Sequence, residues 1–327
     1  YGGYFSSNAS TLPWAAKTGN MTLRPDSIVD SVIYDSKKGK AIGVRVIDAH
    51  TNEMVEYYAK VIFVTAAALN TNAILLNSKS DRFPDGLGND SGVLGKYVAF
   101  HNYRASLSAE FEGYLDTKSE GSRPTSGYIP RFRNLYKQET NFLRGYAAGM
   151  SARRANTTDR DSVGESLKNS LLNPKWTNWS AGSHMMGETI PKETNKITLD
   201  PVKKDAHGLP IMHMDVSYDD NDDKMVKDFI EQFTEMYSKA GFTNIRSRDS
   251  KQAPGLDIHE MGGCRMGNDP KTSMLNKWNQ MHAVKNVFVS DGASMTSTST
   301  QNPSLTYMAL TARAVDYAVK EMKKGNL

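Results

Sequence analysis

The stretch HEMGGCRMG, residues 259–267, holds the first side chains to consider for chemistry. His259 and Glu260 begin as a zinc-protease helix begins, with a second histidine due at position 263. Gly263 stands there instead, and Gly262 beside it weakens the helix such a site needs. His282 lies further along the chain, with nothing linking it to His259. Zinc takes three or four protein ligands, so no metal site is expected. Cys264 is the only cysteine, which rules out an intrachain disulfide. As a nucleophile beside His259 it lacks a third partner, and it reads better as a small residue filling a tight turn. What remains is a histidine in glycine-rich backbone, facing something other than a metal.

Other candidates resolve toward structure. GLGNDSG, residues 86–92, has the glycines of a dinucleotide fingerprint but is one residue too long, and no strand leads directly into it. A turn is expected. No G-x-S-x-G elbow presents a serine to a histidine, so SMTSTSTQN, residues 294–302, reads as a polar loop. His50, His101, His184, His207 and His213 sit in loops or short strands and read as structural or surface residues. His213, in PIMHMDV opposite Met212 and Met214, is the least ordinary of them. Asn302 fits an N-cap before Pro303, the expected first residue of the last helix. The free N–H groups of that helix start also favour negative charge, so it can serve chemistry as well as structure.

These residues need elements to position them. SIVDSVIYD, AIGVRVID and MVEYYA alternate apolar and polar residues between polar turns and predict an antiparallel meander. VIFVT is wholly apolar, as in a strand of a parallel sheet, and AAALNTNAILLNS reads as the helix after it. Residues 81–95 are dense in Gly, Asp, Asn and Pro and predict a loop at a domain boundary. Short alternating stretches come next. A helix then runs from about Asp222 to Ala240, with Met225, Val226, Phe229, Ile230, Phe233, Met236 and Tyr237 on its apolar stripe and Gly241 as its stop. NVFVSDGA predicts a short strand ending at Asp291. In the last helix Leu305, Met308, Ala309, Ala312, Val315 and Val319 form the expected buried stripe.

The chain's 327 residues suit two domains or one with an insertion, and 39% hydrophobic content allows a sizeable core. A net charge of +4, with basic and acidic residues interspersed, predicts no nucleic-acid partner. No apolar run approaches a membrane span. The start at Tyr1 rather than Met suggests processing or a proteolytic fragment.

Three stretches occur in order with short gaps: HEMGGCRMG, NVFVSDGASM and TQNPSLTYMALTARAVDY. Together they closely resemble the C-terminal segment of the glucose–methanol–choline (GMC) flavoenzyme family, most of all bacterial sugar or glucoside dehydrogenases and gluconate-dehydrogenase-type flavoproteins. VIFVTAAALNTNAILLNS resembles that family's strand and helix next to the flavin, and SGVLGKYVAFH its following G-x-x-x-G-[R/K] segment. The resemblance is strong over 259–320, fair over 15–101 and weak over 102–250, where the family carries its variable substrate domain.

The resemblance implies FAD-dependent oxidation of a sugar, glycoside or related alcohol. By it, His259 is the first active-site position, and Asn302 the second, which the family fills with His or Asn. Asp291, Gly292 and Ala293 end the strand that touches the flavin's ribityl and phosphate portion. Val29 meets the adenine through its backbone, and Ala66, Ala67 and Asn70 lie along the cofactor. The chemistry agrees: neutral His259 can take the hydroxyl proton while a flavin takes the hydride. A helix start at Pro303 and Ser304 can place its positive end at charge developing in the flavin.

The family's opening strand, G-x-G-x-x-G turn and helix, which cradle the pyrophosphate, are not found here. The implied fold is mixed α/β (α+β): an incomplete FAD-binding, Rossmann-like domain with a β-meander, at 1–98 and 251–327, around an inserted antiparallel-sheet substrate domain at 99–250. The chain is expected to be a fragment lacking the phosphate-binding loop. By itself it is then apo and inactive unless a second chain supplies that segment. The competing expectation is a non-catalytic binding module derived from such an enzyme. A small-molecule sugar or alcohol and an electron acceptor are the implied partners. Any export signal would precede Tyr1, so cytoplasmic and periplasmic placements both stay open.

Overall fold

In the computed structural model, which describes residues 5–117, 126–256 and 258–327, the chain is mixed α/β with largely antiparallel sheets. Tyr1 lies outside those residues. A short helix, α1 (Thr11–Lys17), buries none of its side chains. The expected meander comes next: β1 (Ser27–Asp35), β2 (Lys40–Asp48) and β3 (Met54–Tyr58) pair antiparallel in that order. Its alternation sends Val32, Ala41 and Val46 inward. VIFVT forms β4 (Ile62–Val64), and the helix after it is α2 (Ala68–Asn77). GLGNDSG lies in the loop beyond α2, where the Leu87 N–H donates back to the Leu75 carbonyl at 2.9 Å.

The middle of the chain builds a six-stranded sheet. Its strands are β6 (His101–Asn102), β7 (Ala105–Phe111), β8 (Gly127–Ile129), β9 (Tyr146–Thr157), β10 (Lys175–Glu188) and β13 (Thr243–Asp249). The order is β13-β7-β10-β9-β8, with β6 also on β10. A helix, α3 (Gly164–Leu172), joins β9 to β10. Against this sheet lies α4 (Asp220–Lys239), started by a reciprocal capping box between Asp219 and Asp222. Its stripe is buried as expected: Met225, Val226, Phe229, Phe233 and Tyr237 are inside, and Phe229 stacks on Phe233 at 4.2 Å. Tyr146 meets Phe229 edge-on at 5.4 Å.

A third sheet ties distant segments together. It takes β5 (Lys96–Ala99), the hairpin β11 (Lys196–Lys204) and β12 (Pro210–Asp215), and β14 (Met261–Gly263), in the order β12-β11-β5-β14. Finally β15 (Val287–Val289) pairs with β4, in parallel as the apolar run predicts. Among the described residues that sheet has two strands. A single 3₁₀ turn, Gly292–Ser294, leads on toward α5 (Ser304–Lys323).

The last helix departs from expectation twice. Its buried residues are Ala314 and Ala318, packed on Phe288. Leu305 is 78% exposed, Met308, Val315 and Val319 are also exposed, and so are Ala309 and Ala312. Two alanines one turn apart let the helix sit close on the Phe63–Phe288 stack, and a two-stranded sheet is too narrow to cover a second helix face. The helix also starts later. Pro303 is the capping residue, its carbonyl accepting the Tyr307 N–H at 3.0 Å, and no side chain caps the end. The first helical hydrogen bond is thus accepted at Pro303, and Asn302, exposed just before it, caps nothing.

Candidate active site

His259 meets His101 because of strand register. In the antiparallel β14–β5 pair, Met261 stands opposite Ala99. Two residues outward along each chain, His259 and His101 come to face one another. Their rings stand nearly perpendicular, with centroids 4.9 Å apart, and Nδ1 lies 3.0 Å from Nδ1. His259 itself has φ +70°, in the left-handed region that histidine, like Asn and Asp, enters more readily than other side chains do.

The glycines after His259 answer a nearby need. Gly262 and Gly263 are buried with positive φ. A Cβ on Gly262 would strike the Tyr97 carbonyl of β5, and one on Gly263 would strike the Asn72 amide of α2. They let β14 press onto β5 and α2, and so place His259. Cys264, fully buried with its thiol pushed up by burial, belongs to the same core, as the tight-turn reading expects. His213 is exposed and pairs with Asp200 at 2.8 Å.

Both imidazoles are biased toward neutrality. Burial brings His259 down from 6.5 to about 4, with His101 adding repulsion. His101 is completely buried, and burial lowers it too, against two backbone carbonyls that favour its charged form. Tyr103 lies beside the pair, 5.8 Å from His101 and 6.5 Å from His259, and His184 of β10 stacks on Tyr103 at 5.6 Å. Sequence reasoning does not single out His101, Tyr103 or His184 as functional. The one signal is an imidazole, His101, directly after the run YVAF.

The loop carrying Asn302 is pinned by residues of β6, β8 and β10. The Thr298 carbonyl lies 2.8 Å from His101 Nε2, the Tyr128 hydroxyl donates to the Thr300 carbonyl at 2.9 Å, and the Ser297 hydroxyl donates to Glu188. Glu188 is itself buried between Arg131 at 3.5 Å and Arg144 at 3.7 Å. Asn302 stays exposed, and among the described residues its side chain contacts neither His259 nor His101 through a hydrogen bond.

The remaining sequence-predicted residues fall in two linked groups. Val29, Ala66 and Asn70 line a cavity of about 640 Å³ between β1, α2 and the β11–β12 hairpin. Val29 and Ala66 also border a cavity of about 440 Å³ that runs along β4. Asp291, Gly292 and Ala293 are buried at the end of β15. Thr71 joins the groups: its hydroxyl accepts from the Ala66 N–H at 2.9 Å and donates to the Asp291 carboxylate at 2.5 Å. Burial raises Asp291, opposed by Thr71 and the Ala293 N–H. Between them Ala67 is held at φ +66°. Pro303 and Ser304 stand at the start of α5.

Models of the GMC oxidoreductase family match both ends of the chain, the N-terminal part over residues 2–101 and the C-terminal part over 191–311. The chain is 34% identical over 305 residues to 2-methyl-1,2-propanediol dehydrogenase of Mycolicibacterium austroafricanum, covering 90% of this chain and 54% of that protein. It is 26% identical to the fructose dehydrogenase large subunit of Gluconobacter japonicus, covering 92% and 54%. The chain thus spans about half the length of the curated relatives it matches. Among solved structures, the formate oxidase of Aspergillus oryzae shares the fold, with a TM-score of 0.61 at 12% identity over 94% of this chain and 62% of that one.

Proposed function

Because this chain belongs to the GMC oxidoreductase family, we propose that it carries the active-site histidine and substrate side of an FAD-dependent dehydrogenase for a sugar, glycoside or related alcohol. The observation that carries the reading is His259: a half-buried imidazole, 3.0 Å from His101 and kept neutral by its surroundings. Two relatives named for hydroxyl compounds, a diol and fructose, support the substrate class. On this reading residues 1–98 and 251–327 form the cofactor side and 99–250 the substrate side.

Oxidising an alcohol removes a hydroxyl proton and a hydride from carbon. His259 takes the proton, a role typically worth about 10²–10⁴-fold. Asn302 holds the alcohol oxygen from its other side. FAD, when bound, supplies the two-electron acceptor for the hydride. The residues present fit that group. A 640 Å³ cavity lies beside Val29, Ala66 and Asn70, within the size range of small-molecule sites. The Thr71-linked group of Ala66, Ala67, Asp291, Gly292 and Ala293 adjoins it. The free N–H groups of the first turn of α5, from Ser304 onward, favour negative charge near the helix start.

The apolar face of α5 and the cavity along β4 suit a strand–turn–helix unit with the phosphate-binding glycines, supplied by a longer polypeptide or a second chain. The 327-residue chain then binds FAD more weakly than about 1 µM, short of ~8 kcal/mol. Fluorescence quenching measures this, and tighter binding would refute the need for that unit. The function is tested by loading FAD into the polypeptide that includes the unit and adding a panel of sugars and diols without oxygen. Bleaching of the flavin absorbance by a member of the panel is expected; bound flavin that none of them bleaches contradicts the reading.

A further inference from the structure

We propose that His101 is a positioning residue that sets the tautomer of His259, so that His259 turns a bare Nε2 toward the substrate hydroxyl. This rests on reading His259 as the base. Three groups form a chain: the Thr298 carbonyl, His101 and His259. His101 Nε2 lies 2.8 Å from the Thr298 carbonyl, which can only accept, so Nε2 carries the hydrogen and donates it. A neutral imidazole has one N–H, so His101 Nδ1 is then a lone pair. The 3.0 Å contact between the two Nδ1 atoms needs one donor and one acceptor. His259 must donate. Its own proton therefore sits on Nδ1, and Nε2 is left free to accept.

The alternative is a cationic His101 donating through both nitrogens. That would put the proton of His259 on Nε2 and remove its power to act as a base there. Full burial of His101 opposes it, since an unpaired buried charge is costly. Among the described residues no carboxylate hydrogen-bonds either ring. Glu188, opposite His101 in the β10–β6 register, is turned to Arg131, Arg144 and Ser297 instead. The other titratable groups near the pair are Tyr103 and, stacked on it, His184.

The arrangement also suits the state after proton transfer. Once Nε2 takes the hydroxyl proton, His259 is an imidazolium whose Nδ1–H still points at the lone pair of His101. The same hydrogen bond becomes charge-assisted and stronger. His101 touches neither substrate nor cofactor in this scheme; it acts through His259.

Nitrogen-15 spectra of histidine-labelled chain at pH 7 test the assignment without any activity. His259 is expected to show a protonated Nδ1 and a bare Nε2, and His101 the reverse. His101→Phe removes the acceptor and should abolish the preference in His259, whereas His101→Asn keeps an acceptor at the δ position and should restore it. Wild-type His259 carrying its proton on Nε2 overturns the proposal, even if neither variant folds. In the flavin-loaded enzyme, His101→Phe should lower kcat by part of the ~10²–10⁴-fold a base supplies, with KM little changed and recovery in His101→Asn. Unchanged kcat in His101→Phe also overturns it. If the spectra show the expected tautomers but no alcohol is oxidised, the functional reading fails and the tautomer assignment stands.

Discussion

Around Phe229 the chain is closed. The six-stranded sheet and α4 enclose Met225, Phe229, Phe233, Tyr146 and Tyr237, all but inaccessible to water. Around Phe288 it is open. Two parallel strands support α5 on Ala314 and Ala318, while Leu305, Met308, Val315, Val319 and Met322 face outward. The region around Phe229 therefore completes its own core, and the region around Phe288 leaves apolar surface exposed. His101 enters the large sheet through β6, and His259 reaches His101 from β14.

The comparison is sharpest where a core residue is removed. Phe229→Ala should destabilise the chain by about 3–5 kcal/mol, because its surroundings cannot collapse around the space left. Urea unfolding measures it, and a loss below about 1 kcal/mol would mean that the region around Phe229 is not a closed core.

Acid–base behaviour separates the regions next. Asp222, at the start of α4, is pushed up from 3.8 to about 7 by burial. Its folded form binds a proton that the unfolded chain has lost, so its contribution is present below about pH 4 and fades as pH rises to about 7. His259 has the opposite sign. Its folded value, about 4, lies below the ordinary 6.5, so its contribution is present above pH 6.5 and fades as pH falls toward 4. Asp222→Asn should thus leave stability rising more steeply with pH between 4 and 7 than in wild type, by up to about 1.4 kcal/mol per unit. Parallel slopes in wild type and variant would place the Asp222 carboxyl in an ordinary, hydrated setting.

The smallest effect belongs to the open side. Leu305→Ser and Val315→Thr should each change the stability of the chain by less than about 0.5 kcal/mol, since both are exposed. A loss above about 1 kcal/mol would show that this face of α5 is already covered.

How much is legible in the sequence depends on the range of each signal. The meander, α2 and α4 declare themselves through local periodicity, and their partners lie within this chain. The α5 stripe obeys the same rule, but periodicity says only that a face seeks cover, and here two alanines outcompete Leu305 and Val315 for the small sheet. The cap expected at Asn302 falls one residue later, where the Pro303 carbonyl accepts the first helical hydrogen bond. His259 is legible from its glycine-rich setting. Its partner is not, because His101 lies 158 residues away and register alone brings the two together. The same register explains Gly262 and Gly263, whose missing side chains leave room for β5 and α2.

The proposed role of His259 is tested most directly by stopped-flow reduction of the flavin-loaded enzyme carrying His259→Ala. The account predicts that the flavin stays bound, with its oxidised spectrum intact, and that its reduction by the alcohol substrate slows by about 10²–10⁴-fold. Reduction at the wild-type rate would contradict it and remove His259 from the chemistry.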